Sequence, residues 1–439
     1  MGYKNETRST HGVLYMRVVE GTQRFGTIIR RIWCALVSIF SMSDLSLPRD
    51  NVAYNASVYA IIPTHKPRKI TVQLVRDLIR WNPDVTVCVV DDCTPKEYEA
   101  QHHIFRSIRK LSPDVRYFRT QENRLKAGAI NYAIAELMRD PEHLPDVIVT
   151  LDDDVVIDQR TIPELVRTLL ADVRVGAACT QCRVLNKNKN MLTRLQGLEY
   201  LGFNAVRIAD ESFFNGPLVM HGMLSAFRTK TLIEVGLFAE RHLIEDYEMT
   251  ARLKTAGYRV RLSPQSLAWT EVPETFGQLW RQRARWINGG ITILGVRKYW
   301  RAIPQDLIGH AMFLATVLLV GLIAFFGKAG SGEPSLAASI IIVLSICQAI
   351  VFYVFQVWYM RYYAERDPVD WILRLTLVPE FLYANVLTLV LAGAYVFRLF
   401  ERTAVIFPVG NKMSRITTSW LRALFARIGF TSGWGTKGA

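Results

Sequence analysis

Two stretches of this chain contain no Asp, Glu, Lys or Arg: "HAMFLATVLLVGLIAFFG" at 310–327 and "AASIIIVLSICQAIVFYVFQVWYM" at 337–360. At ~1.5 Å of helical rise per residue, each can cross a ~30 Å hydrocarbon layer. A water-soluble fold has no use for two such runs in sequence, so the C-terminal third is predicted to be membrane-embedded, with spans at about 306–327 and 337–360. Trp358 and Tyr359 stand at one end of the second run as interfacial anchors. A third run, 371–399, is interrupted by Arg374, Pro379 and Glu380 and reads as a broken or re-entrant segment. The expected layout is a polar tail (1–23), an amphipathic interfacial helix and linker (24–52), a catalytic domain (53–271), interface helices (272–305), the membrane region (306–400) and a basic interfacial tail (401–439).

The formal net charge of +14 is compatible with nucleic acid or with anionic lipid. The cations of the tail decide for lipid, because "SRITTSWLRALFARIGF" interleaves them with Trp420, Leu421, Leu424 and Phe425. No nucleic-acid partner is expected. The first 23 residues are polar and predict no signal peptide, and "RFGTIIRRIWCALVSIFSM" at 24–42 predicts a helix lying in the membrane surface. Arg297, Lys298 and Arg301 before the first span, against Lys328 alone in the 328–336 loop, place the catalytic domain and the C-terminus in the cytosol of a plasma or inner membrane. The six cysteines are scattered and imply no disulfide framework, and Cys179-Thr-Gln-Cys182 reads as part of a strand.

From 53 to about 270, short β-branched runs alternate with amphipathic stretches. "SVYAIIP", "VTVCVVDD", "VIVTLDDD" and "VGAACTQCRV" read as strands, and 69–81, 97–111, 126–139 and 160–171 as helices. That alternation predicts an α/β fold, a mostly parallel sheet with helices on both faces, whose ligands bind beyond the carboxyl ends of the strands. Two strands end there in acids: Asp91 and Asp92, and Asp152, Asp153 and Asp154. Three adjacent carboxylates behind a buried strand need a cation. Side-chain alternation puts Asp152 and Asp154 on one side and Asp153 on the other, so the first and third can hold Mg²⁺ or Mn²⁺. Neither a phosphate-binding G-x-x-x-x-G-K-[ST] loop nor a G-x-G-x-x-G turn is present, which argues against an ATPase or a dehydrogenase. Metal-held diphosphate in an activated group donor needs neither.

These residues resemble the membrane-integrated, inverting β-glycosyltransferases of family 2, which include chitin, hyaluronan, cellulose and poly-N-acetylglucosamine synthases. "VVDDCT" resembles their uridine-recognising acidic motif (Asp91, Asp92), and "ENRLKAGAINYAI" their K-A-G-x-x-N segment (Lys126). "LDDDVVID" matches the D-x-D, implying Asp152 as nucleotide and metal ligand and Asp154 as metal ligand. "IEDYEMTARLKTAGY" resembles the T-E-D segment, implying Asp246 as general base with Glu245 beside it. "RQRARWINGG" is a complete Q-x-x-R-W, implying Gln282 and Arg285 at the donor diphosphate and Trp286 stacked on the acceptor sugar. "SGWGTKGA" resembles the W-G-T-[RK] gating loop, which makes Trp434, Thr436 and Lys437 nucleotide contacts. His221 lies where the family lines its acceptor pocket. The resemblance implies a GT-A type domain that transfers a sugar, N-acetylglucosamine first among candidates, from a UDP donor to a growing β-linked polysaccharide and extrudes it.

Three departures bear on that expectation. Tyr247 stands where chitin and hyaluronan synthases carry Arg, closer to the cellulose or poly-N-acetylglucosamine pattern. "PTHKPRK" places His65 and Lys66 where an acid is more usual, a change that suits phosphate. Few spans accompany the domain, so export of a polymer would call for a homo-oligomer or an accessory subunit, and transfer of a single sugar to a lipid or protein acceptor stays open.

Overall fold

The structure, a computed structural model, describes residues 55–240, 242–326, 336–406 and 412–430. The expected interfacial helix at 24–42, most of the 328–336 loop and the gating residues Trp434, Thr436 and Lys437 lie outside the described residues.

Among the described residues, eight strands form one sheet: β1 (Val58–Thr64), β2 (Val85–Asp91), β3 (Arg116–Arg119), β4 (Val147–Leu151), β5 (Val156–Ile157), β6 (Val175–Val184), β7 (Leu224–Arg228) and β8 (Arg259–Thr270). Their order is β3-β2-β1-β4-β7-β6-β8-β5. The half formed by β3, β2, β1 and β4 is parallel, as are β6 and β8, while β7 runs antiparallel to both its neighbours and β5 to β8. The sheet is therefore mostly parallel. The reversed strand β7 carries too short an apolar run, "LSAFR", to stand out in sequence.

Six helices cover the domain: α1 (Lys69–Trp81), α2 (Glu99–Arg109), α3 (Leu125–Leu137), α4 (Thr161–Leu170), α5 (Met191–Phe214) and α7 (Glu245–Thr255), with the single-turn helix α6 (Thr229–Glu234) after β7. Strand periodicity sorts the core into two layers. Ala60, Ile62, Val87, Val89, Val147 and Val149 face α1, α2 and α4. Ile61, Cys88, Val90 and Ile148 face α3, α5 and α7. The same alternation separates the C-x-x-C pair, Cys179 lying in one layer and Cys182 in the other, with burial pushing both thiols up to about 12. Both are inert packing residues.

Beyond the sheet, α8 (Phe276–Leu294) carries the Q-x-x-R-W segment and is capped by Thr275, whose hydroxyl accepts from the backbone N–H of Gln278. Among the described residues four more helices follow, α9 (Pro304–Phe326), α10 (Leu336–Tyr359), α11 (Pro368–Thr376) and α12 (Val378–Ile406), and then a basic helix, α13 (Lys412–Arg427). Among the described residues, Val378–Arg402 is long and apolar enough to cross a membrane by length and composition. The interruption expected within 371–399 falls at Leu377, which adopts a left-handed φ of 61° between α11 and α12. Pro379 and Glu380 sit instead in the first turn of α12, where a proline leaves no helical hydrogen bond unmade.

The connection between α10 and α11 is built into the domain. Tyr359, Met360, Tyr362, Tyr363 and Leu373 belong to the core layer under α5. Fully buried Asp370 accepts from Lys187 Nζ at 2.6 Å and Arg194 Nη1 at 3.0 Å. Removing one partner of such a pair leaves buried charge uncompensated. Asp370→Ala should destabilise the fold by about 3 kcal/mol, read as a lowered thermal midpoint and faster proteolysis between α10 and α11.

Candidate active site

The carboxyl ends of β1, β2 and β4 bring their acids into one cleft, because Thr64 is in register with Asp91 and β4 pairs with β1 from Val147 onward. The triplet follows the end of β4 in a turn, and its three side chains go to different partners. Asp153 accepts a short hydrogen bond from the Thr64 hydroxyl at the end of β1. Asp152 is ion-paired with Lys126 Nζ at 2.5 Å, and Asp154 lies 3.4 Å from Arg68 Nη2. Arg68 also holds Glu271 at 2.8 Å. Burial raises all three aspartates above the usual carboxylate range, Asp152 to about 7 even with Lys126 beside it. Its side chain is still 36% accessible, so it sits deep in an open cleft and not in a sealed core.

Lys126 stands in the first turn of α3. Its ammonium reaches Asp152, the backbone carbonyl of Gly222 at 2.7 Å and Glu245 at 3.6 Å. Burial alone would lower its pKa, but Asp152 and Glu245 hold it up, so it remains a cation. The rest of that motif is structural. Asn131 brackets the backbone of Phe238, donating to its carbonyl at 2.9 Å and accepting from its N–H at 3.0 Å. It also donates to Glu240, which holds Arg124 at 3.1 Å. The segment leading to Asp246 is thereby pinned to α3.

Asp246 lies in the first turn of α7. One carboxylate oxygen accepts from the backbone N–H of Gly222 at 2.8 Å, the other from that of Tyr247 at 2.8 Å. Burial, and then the neighbouring Glu245, raise its pKa. A carboxylate poised in this way, with fixed orientation and increased basicity, is suited to accept a proton from a hydroxyl. Gly222 connects the two halves of the site: its carbonyl takes Lys126, its N–H takes Asp246, and the residue after it, Met223, leads into β7. A Cβ there would meet Lys126 Nζ at 2.9 Å and Asp246 Oδ2 at 3.2 Å. This role was not visible in the sequence, since the φ of Gly222 is not positive and no turn signal surrounds it.

Other expected residues are placed as follows. Asp91 is fully buried, accepting from Thr94 N–H at 2.8 Å, Tyr117 hydroxyl at 3.0 Å and the Arg119 guanidinium. Asp92 accepts from the Thr120 hydroxyl at 3.0 Å and from Arg124 N–H at 2.8 Å, fixing the entry to α3. Both are thus already bound to protein donors. His65 Nδ1 contacts the Asp92 carbonyl at 2.8 Å, and Lys66 reaches the Tyr98 hydroxyl at 2.9 Å over its ring.

His221, expected at the acceptor pocket, is a buried histidine. Its Nε2 bonds the Thr180 carbonyl, and burial lowers its pKa to about 3, so it is neutral. It lines a small cavity together with Lys126, Gly222, Glu245 and Asp246. On α8, Gln282 accepts from Arg283 Nη1 at 3.1 Å, Arg285 is exposed, and Trp286 is half-buried with the Arg283 guanidinium 4.1 Å from its ring centre. α8 meets the segment before Asp246 at Gly289, where a Cβ would lie 2.7 Å from Ile244 Cγ1. No group of three or more His, Cys, Asp or Glu arranged for a metal occurs among the described residues.

Residues 147–400, more than half of the chain, match the family model described as glycosyl transferase family group 2. The chain belongs to this family. Among curated proteins it is similar to poly-β-1,6-N-acetyl-D-glucosamine synthases, 29% identical over 185 residues to that of Staphylococcus aureus and 28% over 194 residues to that of Staphylococcus epidermidis. These alignments span 42% and 44% of this chain and 43% and 45% of the relatives, less than half of either protein. Among solved structures it is similar to a mannosyltransferase from Pyrobaculum calidifontis in complex with GDP-Man and Mn²⁺, at 18% identity and a TM-score of 0.48, covering 78% of this chain and 96% of that one.

Because the atoms that a new Cβ at Gly222 would meet are the ends of side chains, the fold can yield while the site cannot. Gly222→Ala should keep its thermal midpoint yet lose about tenfold or more in turnover, measured as nucleoside diphosphate release.

Proposed function

We propose that the protein is an inverting sugar transferase that takes N-acetylglucosamine from a UDP donor and adds it to the hydroxyl of a growing β-linked polysaccharide at a membrane surface. The observation that carries this reading is the carboxylate of Asp246, raised in basicity and held by two backbone N–H groups, next to the Lys126–Asp152 pair at the carboxyl ends of the parallel strands. An inverting displacement needs one group to accept the acceptor's proton as its oxygen attacks the anomeric carbon, and cations to stabilise the departing diphosphate. Asp246 is the base, and Glu245 keeps it basic by like-charge repulsion. Lys126 and Arg68 face the diphosphate, and Gln282 and Arg285 of α8 extend that contact.

The raised carboxylates of Asp152 and Asp154 suit a hard divalent cation, Mg²⁺ or Mn²⁺, completed by phosphate oxygens as such ions commonly are. When bound, that ion supplies Lewis-acid stabilisation of the leaving diphosphate. Asp91 and Asp92, in this reading, shape the floor on which uridine rests, and Trp286 presents its open side to the acceptor sugar. Trp434, Thr436 and Lys437 close over the nucleotide. The exposed apolar residues of α9 and α12, among them Met312, Leu318, Phe381, Leu389 and Val396, face lipid, with the catalytic domain and C-terminus on the cytosolic side.

The similarity to poly-N-acetylglucosamine synthases and the Tyr247 in place of Arg support N-acetylglucosamine as the single donor. The protein in nanodiscs with Mn²⁺ should release UDP from UDP-N-acetylglucosamine alone and yield high-molecular-weight product. Release without polymer would replace this reading by single-sugar transfer. Asp246→Asn should reduce turnover by about 10³-fold or more while UDP affinity, followed by calorimetry, stays within about twofold of wild type.

A base must be deprotonated to act, so a raised pKa moves loss of activity to higher pH. The acidic limb of the kcat profile should lie above the ~4 of an ordinary aspartate. Replacing Glu245 by Gln removes the repulsion and should shift that limb downward, as read from initial rates across pH.

A further inference from the structure

The base helix α7 is tied to the apolar helices by a chain of side-chain contacts whose far members, Asp306, His310 and Tyr395, no sequence motif includes. Tyr247, the residue after the base, is buried, and its hydroxyl donates to Asp306 Oδ2 in the first turn of α9 at 2.5 Å. One turn further on, His310 Nε2 lies 3.4 Å from Asp306 Oδ1, and His310 Nδ1 lies 2.6 Å from the hydroxyl of Tyr395 on α12. Phe313 stacks on Tyr395 with ring centres 5.7 Å apart. A second, reciprocal link joins the same bodies: the Tyr299 hydroxyl, in the turn before α9, donates to Glu248 of α7 at 2.5 Å. Tyr247, Ala251, Ile293, Tyr299, Ala302 and Ile303 fill the space between these links as one buried apolar cluster.

We propose that Tyr247, Asp306, His310 and Tyr395 form a positioning brace through which the packing of α9 and α12 sets the place of the Asp246 carboxylate. Tyrosine–carboxylate bonds are short and directional, and two of them crossing in opposite senses resist both sliding and rotation of α7 on α9. Asp246 takes its orientation from the backbone of Tyr247 and Gly222, so any movement of Tyr247 is passed to it directly. A chain that moves past α9 and α12 would thereby act on the base without touching it. The inference rests on Asp246 being the base, and the experiment separates the two.

The measurement is amide hydrogen exchange of the full-length protein in nanodiscs, combined with steady-state kinetics. Tyr247→Phe removes one hydroxyl, and Tyr395→Phe removes one at the far end of the chain, on a different helix. Both variants should speed exchange across residues 245–250, and both should lower kcat, Tyr247→Phe by about tenfold, with KM for the donor unchanged within about twofold. Asp306→Asn, which keeps an acceptor oxygen, should retain more activity than Asp306→Ala. Exchange over 245–250 that is the same in Tyr395→Phe as in wild type would overturn the brace, whatever the kinetics. Faster exchange with unchanged kcat would keep the mechanical link but overturn its role in placing the base. Absence of any donor turnover in the wild type would count against the proposed function, and the exchange data would still decide the brace.

Discussion

The ammonium of Lys126 is the contact on which the rest of the site depends. Asp152, Asp154, Glu245 and Asp246 converge on a cleft where burial raises three of the four above their ordinary pKa, and their mutual repulsion would open it without a cation. Lys126 bonds Asp152 and the Gly222 carbonyl and lies 3.6 Å from Glu245, joining the end of β4, the turn before β7 and the start of α7. Those three segments are far apart in sequence and come from opposite sides of the strand reversal. A lysine suits this place because its three donors are compact and rotatable, whereas a planar guanidinium would demand a fixed fork of acceptors.

Around that contact the fold supplies rigidity at successive distances. Asn131 and Glu240 hold the loop that leads to α7, Gly289 lets α8 approach Ile244, and the Tyr247–Asp306 and Tyr299–Glu248 pairs fix α7 to the start of α9. The end of α10 and the segment after it return to the domain and bury three tyrosines, Tyr359, Tyr362 and Tyr363, in its core, with Asp370 neutralised by Lys187 and Arg194. The helices expected to meet lipid are therefore not appended to the catalytic domain; they share its hydrophobic core and its charge networks.

Much of this was legible before any coordinates. The helices at Lys69–Trp81, Glu99–Arg109 and Thr161–Leu170 fall inside the stretches that periodicity marks, Leu125–Leu137 begins one residue before its stretch, and β2 and β4 end at or beside the acids. Asp153 turns to Thr64 while Asp152 and Asp154 meet two different cations, but the triplet lies in the turn after β4, so this division is set by the turn and not by a strand period. The reversal of β7 was not legible, because a five-residue strand gives no direction. Nor was the partner of buried His221, since Thr180 is 41 residues away in sequence.

The sequence by itself determined the chemistry: which carboxylates cluster, where strands and helices alternate, and where the long apolar runs lie. These are properties of neighbouring residues and of their period along the chain. Only the tertiary structure decided which cation answers each acid, that Gly222 must lack a side chain, and that Tyr247 reaches Asp306. Each of these is a contact between segments distant in the chain, and such contacts are set by how the sheet registers and how helices pack upon it, which no local pattern records.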